Sequence, residues 1–453
     1  MSPRRVMSAT VETATVAGLT HEGEGIVRGE KVVFVPGALP GESIRLRRTR
    51  SHRQHDEAEL VEVLTPAAGR VVPRCAHFGV CGGCALQHLA PEAQLEAKHS
   101  ELRDILERVG QVTPRTWLPP LRGPVWAYRR RARLGAKFVT KKGKVLVGFR
   151  ERLAPFIADV QHCDVLAEPV GSLVTPLADL LMSLSLRERV PQIEVAVADN
   201  AVALVFRVLE TPSADDLSSL REFARQHRVR VYLQPGGLES VQELDPASEP
   251  LHYTLPKFKV ELQFLPTDFI QINAAVNEAL VSRAVEMLEL TPTAQVLDLF
   301  CGIGNFTLPL ARSAGRVVGV EGDAALVARA RHNATLNCLE NTEFHVADLA
   351  RLPADVAQVA QTSPWLRKGY THVVLDPPRA GAKEVLACVA SLAPQRVLYI
   401  SCHPGSLARD LGVLVNEHGF TLEAAGVLDM FPHTAHFESL ALLSPGKRKG
   451  RAP

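Results

Sequence analysis

The stretch VLDLFCGIGNFTL, residues 296–308, decides the fold of this chain. An apolar run typical of a buried strand ends near Asp298, and the glycine turn Gly302-Ile303-Gly304 then leads into a helical pattern. Such a turn lets a ligand approach the backbone closely at the edge of a parallel sheet. Two glycines alone are a weak signal, and the missing third glycine argues against a dinucleotide-binding fingerprint.

Acidic residues end the next two predicted strands. Glu321 ends RVVGVE, where a carboxylate can accept hydrogen bonds from both hydroxyls of a ribose. Asp348 follows the third strand, where it can reach an adenine amino group. From residue 269 onward strands alternate with helices, which indicates an open, mostly parallel sheet. This succession resembles the class I S-adenosylmethionine-dependent methyltransferase fold, and the alternative interpretation is a generic nucleotide-binding sheet.

Two further strand ends carry reactive side chains. Asp376 opens the motif DPPR, and Cys402 lies in the motif SCHP just past a strand. Both are expected at the carboxyl edge of the sheet, where ligands bind in open α/β folds. Glu438 precedes an apolar strand near the C-terminus. A cysteine in isolation is more often an inert buried thiol, but the position of Cys402 at this edge favours catalysis.

A nucleophilic cysteine with a nearby carboxylate suits methyl transfer to carbon 5 of uracil. That carbon is a poor nucleophile until a thiolate adds to carbon 6 and moves electron density onto it. A base must then remove the carbon-5 proton so that the thiolate can leave. Cys402 fits the role of the nucleophile, and Glu438 fits that of the base.

Nearly the whole chain resembles the RNA uracil-5 methyltransferase family, in particular the branch with an N-terminal TRAM domain and an iron–sulfur cluster that acts on 23S ribosomal RNA. The resemblance lies in the motifs FVPGALPGE, CGGC, FIQIN, DLFCGIGNF, DPPR, SCHP and HTAHFE. It implies Cys402 as nucleophile, Glu438 as proton-abstracting base and Asp376 at the junction of cofactor and target base. It also implies a set of contacts with S-adenosylmethionine: Gln271, Phe300, Asn305, Glu321, Asp348 and Asp376.

One position departs from the family pattern. The family commonly has Asn after the nucleophile, where this chain has His403. The difference bears on local hydrogen bonding more than on the reaction.

Three rival activities are weighed against uridine methylation. A cytidine-5 methyltransferase would place a Pro-Cys motif after its aspartate, which Asp376 lacks. An amino-group methyltransferase favours an aromatic residue after Pro-Pro, where this chain has Arg379. A noncatalytic RNA-binding protein needs no nucleophile, so a Cys402→Ala change would leave it unaffected. The resemblance favours ribosomal RNA over transfer RNA as the substrate.

Four cysteines predict a metal site. Three of them have the spacing C-x5-C-x2-C in CAHFGVCGGC, and the fourth is remote: Cys75, Cys81, Cys84 and Cys163. The residues alone favour zinc and a 4Fe–4S cluster equally, because only one C-x2-C hook exists and two glycines leave room for a bulky cluster. The family resemblance implies a 4Fe–4S cluster with four thiolate ligands. A radical S-adenosylmethionine cluster would show C-x3-C-x2-C with an open iron, so we expect a structural cluster.

The totals of 51 basic and 49 acidic side chains nearly cancel and identify no partner. The local distribution of charge in the N-terminal half, however, favours binding to RNA. Residues 11–65 contain short strands between Gly/Pro turns, which indicates a small barrel of the oligonucleotide-binding type. Five arginines crowd one of its hairpins, either at phosphates or as a solvated edge: Arg45, Arg47, Arg48, Arg50 and Arg53. Residues 120–266 have antiparallel strand patterns. Within them, residues 129–152 hold ten basic side chains against Glu151 alone, which favours a nucleic-acid surface.

These patterns predict an α/β multidomain protein. Residues 1–66 form the TRAM barrel, residues 67–268 an antiparallel α+β central domain that holds the cluster and binds RNA, and residues 269–453 the Rossmann-like class I methyltransferase domain. The family implies that segment 87–119 packs on the catalytic domain. The chain lacks an apolar run of about 18 residues and an N-terminal signal-peptide core, so we expect a cytoplasmic protein. A monomer is the default expectation for its oligomeric state.

Overall fold

The computed structural model describes residues 10–247, 249–353, 355–366 and 369–446. The first nine residues, part of the segment without a signal-peptide core, lie outside this range. The described strands form a closed five-stranded barrel, a six-stranded sheet, a two-stranded hairpin and an eight-stranded sheet. In the described part of the chain, every helix is too short or too polar to cross a membrane.

The N-terminal barrel closes in the order β1-β2-β3-β5-β4. Its strands are β1 Val11–Leu19, β2 Glu24–Val27, β3 Val32–Pro36, β4 Ser43–Ser51 and β5 His55–Thr65. Alternate side chains point inward, and Val33, Val35, Ile44 and Leu46 form its buried core. The predicted barrel is therefore confirmed.

Helix α1, Pro91–Ile105, follows the cysteine-rich segment and packs on the eight-stranded sheet instead of on the central sheet. Leu102 and Leu106 are fully buried in the same core as Leu407 and Leu411. The next strand, β6 Thr116–Trp117, forms the outer strand of the eight-stranded sheet.

Gly110 is needed where the chain leaves α1 because of close packing. A Cβ atom on Gly110 would lie 2.6 Å from the carbonyl oxygen of Ala408. The residue that adopts the left-handed conformation there is Gln111, with φ of 53°. Only glycine lets the two backbone segments approach so closely.

The six-stranded sheet has the order β12-β11-β10-β9-β7-β8. Its strands are β7 Arg131–Val139, β8 Lys144–Gly148, β9 Gln192–Val197, β10 Val202–Arg207, β11 Val229–Gln234 and β12 Gln242–Glu243. Helix α2, Val174–Ser183, precedes β9, and helix α3, Ala214–His227, lies between β10 and β11.

One strand pair corrects the prediction of a purely antiparallel central domain. Strands β10 and β11 run parallel, with Val202 beside Val229. Helix α3 returns the chain to the starting end of the sheet, as a parallel pair requires. The sequence interpretation missed this helix, although Ser213 and Asp216 form a capping box at its start.

The hairpin of β13 Leu251–Leu255 and β14 Val260–Phe264 links the central and catalytic regions. Leu262 and Phe264 pack in the same core as Leu280 and Val281 of helix α4, Ala274–Leu288. The hairpin therefore joins the hydrophobic core of the catalytic region.

The eight-stranded sheet has the order β17-β16-β15-β18-β19-β21-β20-β6. Its further strands are β15 Gln295–Leu299, β16 Arg316–Glu321, β17 Thr342–Val346, β18 His372–Leu375, β19 Arg396–Ser401, β20 Phe420–Leu428 and β21 Glu438–Pro445. The accompanying helices are α5 Thr307–Ala311, α6 Ala324–Leu336, α7 Val356–Thr362, α8 Leu386–Ser391 and α9 Pro404–Gly412.

Strands β15 to β19 are parallel, and β21 runs antiparallel to β19. The predicted open, mostly parallel sheet is thus confirmed. The chain moves outward from β15 to β17 and then returns to β18 on the other side of β15. The strand order reverses between β15 and β18, and ligands of open α/β sheets bind at such a reversal.

Candidate active site

The glycine turn after β15 is sharply bent and firmly held. Phe300, Gly302 and Gly304 all have positive φ, at 65°, 54° and 99°. A side-chain-bearing residue such as Phe300 rarely adopts this conformation unless its surroundings enforce it. The backbone N–H groups of Phe300 and Cys301 donate to the carbonyl oxygen of Val320 at 2.9 and 3.1 Å. These bonds fix the turn beside the end of β16.

Glu321 ends β16 and contacts the glycine turn directly. Its carboxylate accepts hydrogen bonds from the backbone N–H groups of Gly302 at 3.2 Å and Gly322 at 2.7 Å. The backbone N–H of Ala347 donates to the Glu321 carbonyl oxygen at 2.9 Å, which brings the exposed Asp348 alongside. The three predicted cofactor elements after β15, β16 and β17 therefore line one edge of the sheet.

Asn305 belongs to a polar network that the sequence interpretation found only in part. Its amide exchanges two hydrogen bonds with the amide of Asn277, at 2.9 and 3.0 Å, and accepts a third from the Tyr253 hydroxyl at 3.0 Å. Gln271 lines the same cavity as Asn277 and Tyr253. Asn277 is buried on α4, and a polar residue on the apolar face of a predicted helix was the available signal.

Buried carboxyl groups concentrate at the strand reversal. Asp298 in β15 accepts a hydrogen bond from the Thr307 hydroxyl at 2.5 Å, while its Oδ1 is buried without a partner. Burial raises the pKa of Asp298 to about 7. Burial, with the nearby charges of Glu438 and Asp298, raises the pKa of Asp376 well above its ordinary value. Unpartnered carboxyl oxygens in a desolvated site suit a cationic ligand such as a sulfonium.

The sheet register brings the predicted nucleophile and base together. Ser401 at the end of β19 pairs with Ser439 of β21, so Cys402 stands opposite Glu438. Glu438 is only 4% exposed, its Oε2 has no hydrogen-bond partner, and burial raises its pKa to about 7. Burial, together with the carboxylates of Glu438 and Asp376, raises the pKa of Cys402 to about 11. All three predicted catalytic residues therefore meet at this edge.

His403 caps the helix that follows the nucleophile. Its Nδ1 accepts a hydrogen bond from the backbone N–H of Ser406 at 3.1 Å and so caps the N-terminus of α9. Asn and His both offer a side-chain acceptor at this position. Burial, assisted by the charge of Arg379, lowers the pKa of His403, which keeps Nδ1 available as an acceptor.

The four predicted metal ligands also meet. Cys75, Cys81, Cys84 and Cys163 line one cavity, here called the cysteine cavity. Burial, together with the neighbouring thiols, raises the pKa of Cys81 to about 11 and that of Cys84 to about 12. A Cβ atom on Gly83 would lie 3.0 Å from the Phe149 ring, so the motif CGGC fits tightly here.

Among the residues that the structure describes, only His52, His55 and Glu57 place three potential ligand atoms within 4.8 Å of one another. The thiols of the cysteine cavity are soft ligands, which suit zinc and iron–sulfur clusters alike.

Most basic residues predicted to meet RNA pair with carboxylates from neighbouring strands or loops. Four arginines of the β4–β5 hairpin do so at 2.6–3.7 Å: Arg45–Glu62, Arg47–Glu59, Arg48–Glu12, Arg48–Asp56 and Arg50–Glu57. In the central region the pairs span 2.6–3.0 Å: Arg130–Asp199, Arg133–Glu194, Lys142–Asp159 and Lys144–Asp159. The hairpin therefore matches the alternative interpretation, a solvated edge.

Comparison with known proteins identifies the family. The family model described as tRNA (uracil-5-)-methyltransferase matches residues 91–445. The 23S rRNA (uracil(1939)-C(5))-methyltransferase RlmD of Alkalilimnicola ehrlichii is 51% identical over 97% of this chain and 97% of its own length. The enzyme of that name from Xanthomonas axonopodis pv. citri is 49% identical over 97% and 98%.

Among solved structures, the tRNA (uracil-54, C5)-methyltransferase of Pyrococcus abyssi in complex with S-adenosyl-L-homocysteine covers 95% of this chain and 100% of its own. The TM-score is 0.71 at 23% sequence identity, so the likeness concerns the fold. The predicted Rossmann-like methyltransferase fold is confirmed. By sequence and by fold, this chain belongs to the tRNA (uracil-5-)-methyltransferase family.

Proposed function

We propose that this protein transfers a methyl group from S-adenosylmethionine to carbon 5 of a uridine in 23S ribosomal RNA. The observation that carries the proposal is the meeting of Cys402, Glu438 and Asp376 at one sheet edge. Ribosomal RNA is favoured over transfer RNA because relatives about half identical over nearly the whole chain are named for uracil 1939 of 23S rRNA.

In the proposed reaction, Cys402 and Glu438 act in turn. The Cys402 thiolate adds to carbon 6 of uracil, and the displaced electron pair makes carbon 5 nucleophilic. Bound S-adenosylmethionine would supply the electrophilic methyl group, and its methyl–sulfur bond would break as carbon 5 bonds to that group, with S-adenosylhomocysteine as the leaving group. Glu438 then accepts the carbon-5 proton, the freed electron pair restores the ring double bond, and Cys402 leaves as a thiolate.

The electrostatics of the site suit these roles. With a pKa near 7, Glu438 exchanges protons readily at neutral pH, where a general base is most effective. With a pKa near 11, Cys402 rests as a thiol, so its proton must pass to water or to a neighbouring carboxylate before sulfur adds to carbon 6. Arg379 opposes the two carboxylates and favours the thiolate.

The contacts with S-adenosylmethionine follow from the family motifs. Glu321 takes the ribose and Asp348 the adenine amino group, with further contacts from Gln271, Phe300 and Asn305 and with Asp376 at the junction with the target base. The hydrogen bonds of Glu321 to the glycine turn support its place. Asn277 and Tyr253 hold the Asn305 amide in a defined orientation.

We also propose that the cysteine cavity holds a structural 4Fe–4S cluster with thiolate ligands from Cys75, Cys81, Cys84 and Cys163. The four thiols line one cavity, and the family resemblance supports a cluster over zinc. Residues 1–66 serve as a TRAM domain, 67–268 as the cluster-bearing RNA-binding domain and 269–453 as the catalytic domain. The protein acts in the cytoplasm as a monomer.

The test uses purified protein, isotopically labelled S-adenosylmethionine, and unmodified 23S rRNA and transfer RNA. Mass spectrometry of the digested nucleosides should find labelled 5-methyluridine in the 23S rRNA. Cys402→Ala should lower the rate by more than about a thousandfold, whereas Cys338→Ala, at an exposed cysteine, should not. Label on cytidine or adenosine, or persistence of label in Cys402→Ala, would overturn the mechanism. Label in transfer RNA alone would change the substrate.

A further inference from the structure

We propose that His21, His403 and His436 bind the 5′ phosphate of the target nucleotide, so that the barrel contributes a positioning residue to the catalytic site. This inference rests on the proposed function. The ring of His21, in the turn between β1 and β2, lies 6.3 Å from the His403 ring and 6.0 Å from the His436 ring, centroid to centroid. His403 follows the nucleophile, and His436 precedes Glu438 by two residues.

The turn that carries His21 is held in place on both sides. The backbone N–H of Thr20 donates to the carbonyl oxygen of Glu24 at 2.7 Å, and the backbone N–H of Glu24 donates to the Thr20 hydroxyl at 3.0 Å. Gly23 has a φ of 78°, and a Cβ atom there would lie 3.1 Å from the Leu86 side chain. The barrel loop is therefore seated against the segment after the cysteines, with the His21 ring exposed beside the catalytic edge.

The three rings offer hydrogen-bond donors. Because Nδ1 of His403 accepts from Ser406, a neutral His403 carries its proton on Nε2, which can donate to a ligand. His21 and His436 are exposed, and in the described part of the chain their rings make ring contacts and no hydrogen bond.

The arrangement fits an oxyanion and not a metal ion. The described residues include only one set of three potential ligand atoms within 4.8 Å of one another, and it contains none of these histidines. A phosphate, with oxygens pointing in several directions, can bridge donors that are farther apart. Arg379 adds positive charge near His436, whereas the buried Lys98 is already paired with Asp429 at 2.7 Å. Glu22 and Glu101 add negative charge near the histidines.

The reaction geometry identifies which phosphate this is. Cys402 must reach carbon 6 of the uracil, and in a pyrimidine nucleotide of the common anti orientation carbon 6 is the ring carbon nearest the nucleotide's own 5′ phosphate. His403 is the next residue after Cys402. A uracil placed for attack therefore brings its 5′ phosphate towards the three histidines. Phosphate contacts of this kind position a nucleotide without reading its base.

The test measures RNA affinity in a Cys402→Ala background, which prevents adduct formation. The probe is a 23S rRNA fragment with the target uridine, made with either a natural or a neutral methylphosphonate linkage on the 5′ side of that uridine. On natural RNA, His21→Ala should weaken binding about five- to tenfold, and His21→Gln, which keeps a donor, should recover part of the loss. On neutral RNA, His21→Ala should change nothing further. His418→Ala is the control, because His418 is exposed and lies just before β20, at the end of the sheet away from the catalytic edge.

The outcomes separate this inference from the proposed function. Equal losses for His21→Ala on both RNAs, or no loss on natural RNA, would overturn the phosphate site. Methylation of the natural fragment by the unsubstituted protein, measured first, shows whether the proposed substrate is right. If the reference protein neither methylates nor binds the fragment, the proposed function fails, and the phosphate site fails with it.

Discussion

The thiols of Cys402, at the catalytic edge, and Cys81, in the cysteine cavity, both have raised pKa values, but different groups surround them. Burial raises the pKa of Cys402 and of Cys81 to about 11. The neighbouring groups that contribute to these values differ, because Cys402 faces the carboxylates of Glu438 and Asp376 while Cys81 faces other cysteines. A buried thiol therefore does not by itself distinguish a nucleophile from a metal ligand.

The neighbours decide what each thiol can do. A single thiol beside a carboxylate with a pKa near 7 suits a reaction in which sulfur must add and leave while a proton moves to a base. Four converging thiols would repel one another as thiolates, and a bound cationic centre relieves that repulsion. The same residue type is thus suited to transient bonding at one site and to metal ligation at the other.

The largest effect is expected from a change at Glu438 that allows methyl transfer but prevents removal of the carbon-5 proton. Glu438→Gln should slow methylation by about 10²–10⁴-fold, because addition and methyl transfer proceed but the carbon-5 proton stays in place. A covalent complex of Cys402 with RNA should accumulate on denaturing gels. Glu417→Gln, at an exposed acid, is the matched control and should behave as the unsubstituted protein. A slow variant without the complex would contradict the role of Glu438.

A change in the cysteine cavity should affect stability and metal content. Cys84→Ser should lose bound iron and sulfide and lower the free energy of unfolding by roughly 3 kcal/mol, because ligand loss removes the metal's contribution to folding. Cys338→Ser should keep both. Anaerobic purification with iron, sulfide and zinc analysis provides the measurement. Stoichiometric zinc in the unsubstituted protein would contradict the cluster.

The pH dependence of stability should reflect the buried base. The pKa of Glu438 rises from an ordinary value of 4.5 to about 7 in the folded protein, so folding favours its protonated form. Its contribution is fully present below pH 4.5 and is lost as the pH rises through about 7. Glu438→Gln cannot ionise and should be more stable than the unsubstituted protein at pH 8, by about 1–3 kcal/mol.

Denaturant unfolding of both proteins at pH 5 and pH 8 measures this difference. The gap between them should be small at pH 5 and should widen at pH 8. A gap that is the same at both values would mean that Glu438 is ionised throughout, and would contradict the raised pKa.

The smallest effect concerns the residue next to the nucleophile. His403→Asn should change the free energy of unfolding by only a few tenths of a kcal/mol, because Asn caps a helix as His403 does here. His403→Ala should cost about 1 kcal/mol, because the Ser406 N–H loses its partner. Thermal unfolding of the two variants checks the difference, and equal losses would show that the cap contributes nothing.

The local pattern of the sequence determined the elements that carry the chemistry. Hydrophobic runs ending in Asp298, Glu321, Asp376 and Cys402 predicted parallel strands whose carboxyl ends share one edge, and the structure has these strands in one sheet. The cysteine spacing likewise predicted one metal site from Cys75 and its partners. These features could be predicted because strand periodicity and turn chemistry act over short distances along the chain.

Only the tertiary structure decided which groups meet across long distances. The register of β21 on β19 places Glu438 opposite Cys402, helix α3 makes β10 and β11 parallel, and the barrel docks His21 at the catalytic edge. Arg48 and its neighbours appeared cationic in sequence, but acids of adjacent strands pair with them. The physical reason is that charge pairing, burial and pKa depend on distances in space, which side-chain spacing along one segment does not contain.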